Sequence, residues 1–593
     1  MSKSPGGRGL TGGGYTPPVF RKGSGTLLRS ILLCGLLAAA SLARLRTEPP
    51  ADLVLRSAVV HTVDPRTPRA EAVAIRGGTI LTVGSNAAVA AHIGPRTRVR
   101  DLRGLTVVPG FHDAHAHLLG VGFARLDVDL AGTTSYAEIV ERVARAVAGR
   151  APGEWIRGRG WHEEKWSGPA PGSVRGFPTH AALSAVSPDH PVVLARADGH
   201  AVLVNARAMA VRGIGRSTPT PRGGEIIRDE AGEPTGVFVD NAVALVEPAE
   251  RTPREVRRAV ELAMDECLEK GVTSFTDAGE PEDVLALYRE LGDAGRLRVR
   301  LDAMAAGLDT LRALERPEIG RGGGFLTIRA VKLYADGALG SRGAALLEPY
   351  ADDPGNLGLV VTPRERLLEA TRLALEKGFQ VATHAIGDRA NRIVFDVYEQ
   401  ALGERPDRRD ARLRIEHAQI LDEADIPRFG RTGVLASMQG IHCPSDRPWA
   451  PKRIGMDRIR EGGYAWRKLL ASGARILNGT DAPVEDLSPI ANFHATVTRQ
   501  DAQGRPPGGF DPDQKLSRKE ALLTMTLEPA YGTFAEGQKG SITPGKVADL
   551  VVLSQDILAV PDDELLNTEV LATIVNGQIL YESLNLTRGR PTR

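Results

Sequence analysis

A short apolar run at residues 105–108 stops at Pro109-Gly110 and is followed at once by Phe111-His112-Asp113-Ala114-His115-Ala116-His117-Leu118. The run reads as a buried strand closed by a turn. Residues two apart in extended chain point to the same side. His115 and His117 can therefore aim two imidazoles at one point, as a shared metal ion requires. Two solvated loop histidines would look the same, so the pair carries weight only if other strand ends bring further ligands to it.

Seven more strand-like runs follow, at 272–276, 297–301, 327–334, 379–383, 413–415, 434–438 and 475–477. Helical stretches such as 254–270 and 363–377 separate several of them, the pattern of a parallel sheet with crossover helices. Eight units predict an α/β fold of the (β/α)8, TIM-like barrel type, with its active site at the C-terminal ends of the strands. Residues 119–250 are too many for a loop and are expected to form a subdomain inserted over the barrel mouth after strand 1. Short strands and turns at 51–108 and 535–585, the second with an Asn576-Gly577 hairpin turn, predict a small β-sandwich built by both terminal segments. The barrel then takes 109–534. A chain of 593 residues is in any case too long for one core.

Hydrophobic content of 42% and charged content of 25% fit a soluble globular protein. The first 43 residues hold Lys3, Arg8, Arg21, Lys22 and Arg29 and no acid; the rest has 70 basic against 73 acidic residues, so no basic face argues for nucleic acid. In that leader an apolar run at 31–40 precedes Ser41-Leu42-Ala43, a small-x-small boundary. It reads as a signal peptide cleaved after Ala43, giving a periplasmic or extracellular protein. An uncleaved membrane anchor, or a start-site artefact on a cytoplasmic protein, fits the same residues. Cys267 and Cys443, far apart, suggest no disulfide framework.

The candidate strand ends carry a recurring set of side chains. Strand 1 gives His115 and His117, strand 4 Lys332, strand 5 His384, strand 6 His417 and strand 8 Asp481. Their joint placement is hard to reach by accident. The order resembles the amidohydrolase superfamily of metal-dependent hydrolases. More narrowly it resembles amidohydrolase family 3, which includes N-substituted formamide deformylase-like proteins. The resemblance spans about 52–583 and rests on several motifs. These are Pro109 to His117, Asp198-Gly199-His200 with Asn205, Ala335-Asp336-Gly337-Ala338-Leu339-Gly340-Ser341-Arg342, His384-Ala385-Ile386-Gly387-Asp388, Ser437-Met438-Gln439 with His442, and Gly545-Lys546-Val547-Ala548-Asp549.

The resemblance implies that His115, His117, His384 and His417 bind metal, with zinc expected. It also implies that Lys332, carboxylated by CO2, bridges two ions. An ammonium cannot coordinate, whereas a carbamate is anionic and offers two oxygens. A lysine paired to a carboxylate, and a single metal, remain open. Hydroxide generated at the metal attacks a carbonyl, with Asp481 as a ligand that also moves the proton. His417 is either a ligand or a donor beside the metal. The expected activity is hydrolysis of a non-peptide C–N bond in a small N-acyl or N-formyl amide. A cyclic amide, ester or lactone hydrolase is the alternative within enzymes, and a non-catalytic binding protein on the same scaffold the alternative outside them. A homodimer is admitted but not required.

On the substrate side, Trp161 and the other four tryptophans fall in segments expected near the mouth, suggesting an apolar or aromatic substrate moiety or a packed subdomain. Asp198, His200, Arg342, Asp388 and His442 either bind substrate or satisfy loop backbone and orient ligands. His162, His180 and Gly440 stand where the family commonly has Asp, Arg and Pro, which places the substrate, not the metal chemistry, in question.

Overall fold

The computed structural model describes residues 49–584, with residues 14 and 16. The leader's apolar run and cleavage boundary lie outside them. Among the described residues the central sheet has eight parallel strands, β1 (Phe111–Ala116), β2 (Val272–Glu280), β3 (Arg300–Ala306), β4 (Leu326–Tyr334), β5 (Gln380–Ala385), β6 (Arg414–His417), β7 (Leu435–Gln439) and β8 (Ile476–Gly479), with a short ninth, Glu318–Gly320, antiparallel to β4. The eight parallel strands pair in chain order, and β1, β5, β6, β7 and β8 are buried at every position. Such strands are covered on both faces, so even the His, Asp, Arg and Glu side chains of Phe111–Ala116 and Arg414–His417 are buried.

The seam between β8 and β1 is closed without a regular ladder. Asp481 N donates to His115 O at 2.7 Å and His117 N to Ala482 O at 2.8 Å. The Asp113 carboxylate accepts from His115 N at 3.2 Å, Thr480 N at 3.1 Å and Thr480 Oγ1 at 2.6 Å. Barrel closure thus pins the two ligand-bearing ends to each other.

Two expected strands move. The run at 105–108 is not the first barrel strand. It lies in Thr106–Pro109, which pairs with Leu550–Leu553 and Val59–His61 in a sheet built from both terminal segments. That sheet packs on a second one through Leu53, Val73, Val107, Leu550 and Ile574. The chain crosses from sandwich to barrel at Gly110, where a β-carbon would stand 2.1 Å from Thr273 Oγ1. The third barrel strand begins at Arg300 rather than 297, because its ladder with β2 starts at the Ser274–Arg300 pair. The Asn576-Gly577 turn joins Val570–Val575 to Gln578–Glu582 as expected, with both residues at positive φ.

Within 119–250 lies a six-stranded sheet with its own core around Ile139, Val143, Trp161, Leu194 and Leu203. No helix of the described residues is long and apolar enough to cross a membrane.

Helix α1 (Leu118–Ala124) starts directly after His117 and packs on α2 (Pro253–Glu269). A β-carbon on Gly122 would meet Ala259 O at 2.0 Å. Gly122→Ala is therefore expected to lower stability by about 1–3 kcal/mol, seen as a lower thermal midpoint. An unchanged midpoint would show that the two helices can move apart.

Candidate active site

His115 is fully buried on β1. Its Nδ1 contacts a carboxylate oxygen of Glu416, which turns Nε2 toward the barrel mouth. There Nε2 lies 3.5 Å from Asp481 Oδ1 and 3.3 Å from Lys332 Nζ. His117 Nε2 lies 3.2 Å from the same Asp481 oxygen. On the next strands, His417 Nδ1 donates to Gln439 Oε1 at 2.8 Å. Its ring stands 4.8 Å from that of His115 and 4.5 Å from that of His384. Strand alternation should send Glu416 and His417 to opposite faces. Positive φ at His417 (+73°) and Ala418 (+44°) breaks the alternation, and both side chains reach His115.

Among the described residues two trios bring ligating atoms within 4.8 Å of one another: His115, His117 and Asp481, and His417, His442 and Asp481. His384 belongs to neither. Its Nε2 faces Gly337 O at 3.4 Å and Asp336 Oδ1 at 3.6 Å. Asp336, pushed up to about 8 by burial, accepts N–H bonds from Ala345, Ile386 and Gly387 and so sets the loop that follows His384.

The donors suit a divalent cation. Asp481 Oδ1 and His442 Nε2 are buried polar atoms with no hydrogen-bond partner. Two ligands ~2.0–2.1 Å from one ion at a tetrahedral angle stand ~3.3 Å apart, close to the 3.2 and 3.5 Å separations of His117 and His115 from Asp481 Oδ1. Burial, with the Lys332 cation beside it, pushes His115 down to about 4, and burial holds His384 and His417 far below their usual range. Neutral imidazoles are the coordinating form. Burial alone would raise the Asp481 pKa, but its neighbours, led by the close contact with His117, outweigh it and hold it well below the usual carboxylate range. Lys332 has no carboxylate within 4 Å among the described residues; its neighbours are His115 and, at 4.8 Å, the Tyr334 ring.

A cleft opens above these groups, bordered by Asp198, His200, Leu339, His442 and Trp449. His200 Nδ1 pairs with Asp240 Oδ1 at 2.7 Å. Burial would lower its pKa, but Asp240 outweighs that and raises it. Asp198 is held by Arg196 and accepts from His200 N.

Three expected substrate residues lie elsewhere. Trp161 is 0% exposed, donates from its indole to Leu194 O at 2.8 Å, and packs inside the insertion. Arg342 is paired with Asp352 at 2.9 Å, outside the cleft lining. Asp388 accepts from Leu347 N and Arg389 N and so fixes the start of helix Asp388–Glu404. Of the five tryptophans only Trp449 borders the cleft; Trp155, Trp166 and Trp466 pack against neighbouring side chains. Sequence reasoning missed Arg414 and Glu416 and gave Gln439, though part of a quoted motif, no role. The available signal was Arg414-x-Glu416, two charges on one face of a wholly buried strand.

The amidohydrolase family model matches residues 98–581. The chain is 35% identical to Protein LONG AFTER FAR-RED 3 of Arabidopsis thaliana, over 90% of this chain and 92% of that one. It is 33% identical to the putative amidohydrolase YtcJ of Bacillus subtilis, over 88% and 98%. With N-substituted formamide deformylase of Arthrobacter pascens it shares 32% identity over 90% and 98%. An uncharacterized metal-dependent hydrolase from Pyrococcus horikoshii superposes with a TM-score of 0.69 at 28% identity, covering 86% of this chain and 99% of that one. Barrel, terminal β-structure, converging histidines and these matches agree: the chain is a hydrolase of the amidohydrolase family.

Proposed function

We propose that the protein hydrolyses a non-peptide C–N bond in a small N-acyl or N-formyl amide, using zinc held by His115, His117 and Asp481. We further propose that Lys332, carboxylated by CO2, would add an anionic ligand, with His384 and His417 the residues that would hold a second ion. When bound, the metal supplies Lewis acidity, bringing the pKa of water from ~15.7 toward ~7 and polarising the carbonyl. Asp481, ionised and with Oδ1 facing His115 and His117, accepts the proton of the attacking water and returns it to the leaving nitrogen. Glu416 and Gln439 hold His115 and His417 in one tautomer, with Nε2 turned to the centre. His200, fixed by Asp240, borders the cleft, and in the protonated form that Asp240 favours its Nε2–H can donate to the substrate.

The observation that carries this reading is the buried, unpartnered Asp481 oxygen between two imidazole nitrogens. The deformylase relative supports the N-formyl class. Metal analysis of purified protein, with an N-formyl and N-acyl amide panel before and after chelation, tests it. Expected are one or two equivalents of zinc, with turnover lost on chelation and regained on adding zinc. Mass spectrometry is expected to show an added 44 Da at Lys332. Metal-free protein active on the panel would sink the proposal, and an unmodified Lys332 its carbamate arm.

A further inference from the structure

Arg159 stands on the insertion strand Ile156–Trp161, where buried and half-buried residues alternate as far as Arg159. At Gly160 (φ +110°) the pairing with Val192–Arg196 slips by one residue. A β-carbon there would lie 2.7 Å from Ala131 N, so the bulge requires glycine. The slip turns Trp161 into the insertion's core. Arg159 stays on the opposite face, bordering a cleft it shares with His117, Lys332, His384 and Asp481.

Lys332 apart, the other cations around the mouth are matched. Arg196 is gripped by Glu163 and Asp198, Arg453 by Glu164 and Asp352, and Lys165 by Ser445 and Glu485. Arg159 makes one hydrogen bond, from Nη2 to Ala197 O at 2.9 Å. Its Nε is buried without a partner, and among the described residues it forms no ion pair. Asp198 is taken by Arg196 and His200 N, and Asp481 is turned to His115 and His117. A guanidinium drawn out of water without a counter-ion is costly, and its planar fork of donors matches a carboxylate.

We propose that Arg159 binds a carboxylate carried by the substrate, so that the amide cleaved at the metal belongs to an acid rather than to a neutral compound. This rests on the amide-hydrolase reading above. Arg159 is then a specificity residue, supplied by the insertion and independent of the metal ligands.

The test uses a matched pair, 4-formamidobenzoate and formanilide, which differ only in the carboxylate. Binding to zinc-loaded protein is measured by calorimetry, and hydrolysis separately. Expected is about 10-fold tighter binding of the acid. Arg159→Met should erase that preference while leaving formanilide binding within about twofold, which also shows that the variant is folded; Arg159→Lys should keep part of it. Equal affinities for the pair in wild-type protein overturn the proposal, as does a preference that survives Arg159→Met. Carboxylate-dependent binding without hydrolysis upholds Arg159 and sinks the amide-hydrolase reading. Hydrolysis of both compounds without preference does the reverse.

Discussion

Asp481→Asn lowers kcat by about 10²–10⁴-fold on any amide the wild type turns over, the span of a positioned general base. Asparagine keeps the shape of the side chain and the backbone bond from residue 481 N to His115 O that closes the barrel seam. It removes the carboxylate charge, held well below its usual pKa despite burial, and with it the proton acceptor. Because Oδ1 faces His115 and His117 at once, the variant is also expected to hold metal more weakly. The measurement is therefore made on zinc-saturated protein with metal content determined alongside kcat and KM. A collapsed kcat with little change in KM marks an interaction made only in the transition state. Wild-type turnover at full metal content would remove Asp481 from proton transfer.

The barrel could be read from the sequence because several strands covered on both faces leave apolar runs separated by helical stretches. The same rule misassigned residues 105–108. In the structure Val107 packs into the sandwich core and Val108 against Phe111 and Phe493 on its other side. A sandwich strand lying against a barrel is thus as thoroughly buried as a barrel strand, and hydropathy does not separate them. What separates them is the crowded passage at Gly110, a tertiary fact. The histidines could be found because the fold puts strand ends in one place. Trp161 and Glu416 could not be placed, for a shared reason. Side-chain direction was inferred from alternation, and alternation fails at the Gly160 bulge and again where His417 takes a positive φ. Arg342 and Asp388 admitted two readings, substrate contact or loop support; their partners, Asp352 and backbone N–H groups, fit the second.

Glu416→Leu should cost about 3–5 kcal/mol of folding stability, because it strands a buried guanidinium. Arg414 and Glu416 are both fully buried and paired side on, Nε to Oε1 at 2.7 Å and Nη2 to Oε2 at 3.1 Å. The same guanidinium donates to Ala114 O on β1 and Ser437 Oγ on β7, tying three strands together below the site. The loss is read as a lower denaturant midpoint. It has a predictable pH dependence. Burial alone would raise the Glu416 pKa, but Arg414 and then His115 outweigh it and hold it below the usual carboxylate range. A depressed folded pKa contributes stability that is complete above ~4.3, the unfolded value, and is lost as pH falls below it, so the gap between wild type and variant should narrow under acid. Adding Arg414→Met removes the stranded charge and should restore part of the stability, as replacing a whole buried pair often does. It restores no acceptor for His115 Nδ1, so the double variant should still bind zinc about 10–100-fold more weakly than wild type. Stability recovered with zinc affinity still lost would assign Glu416 two separable roles. If zinc affinity returned together with stability, Glu416 would serve the site only by keeping the barrel folded.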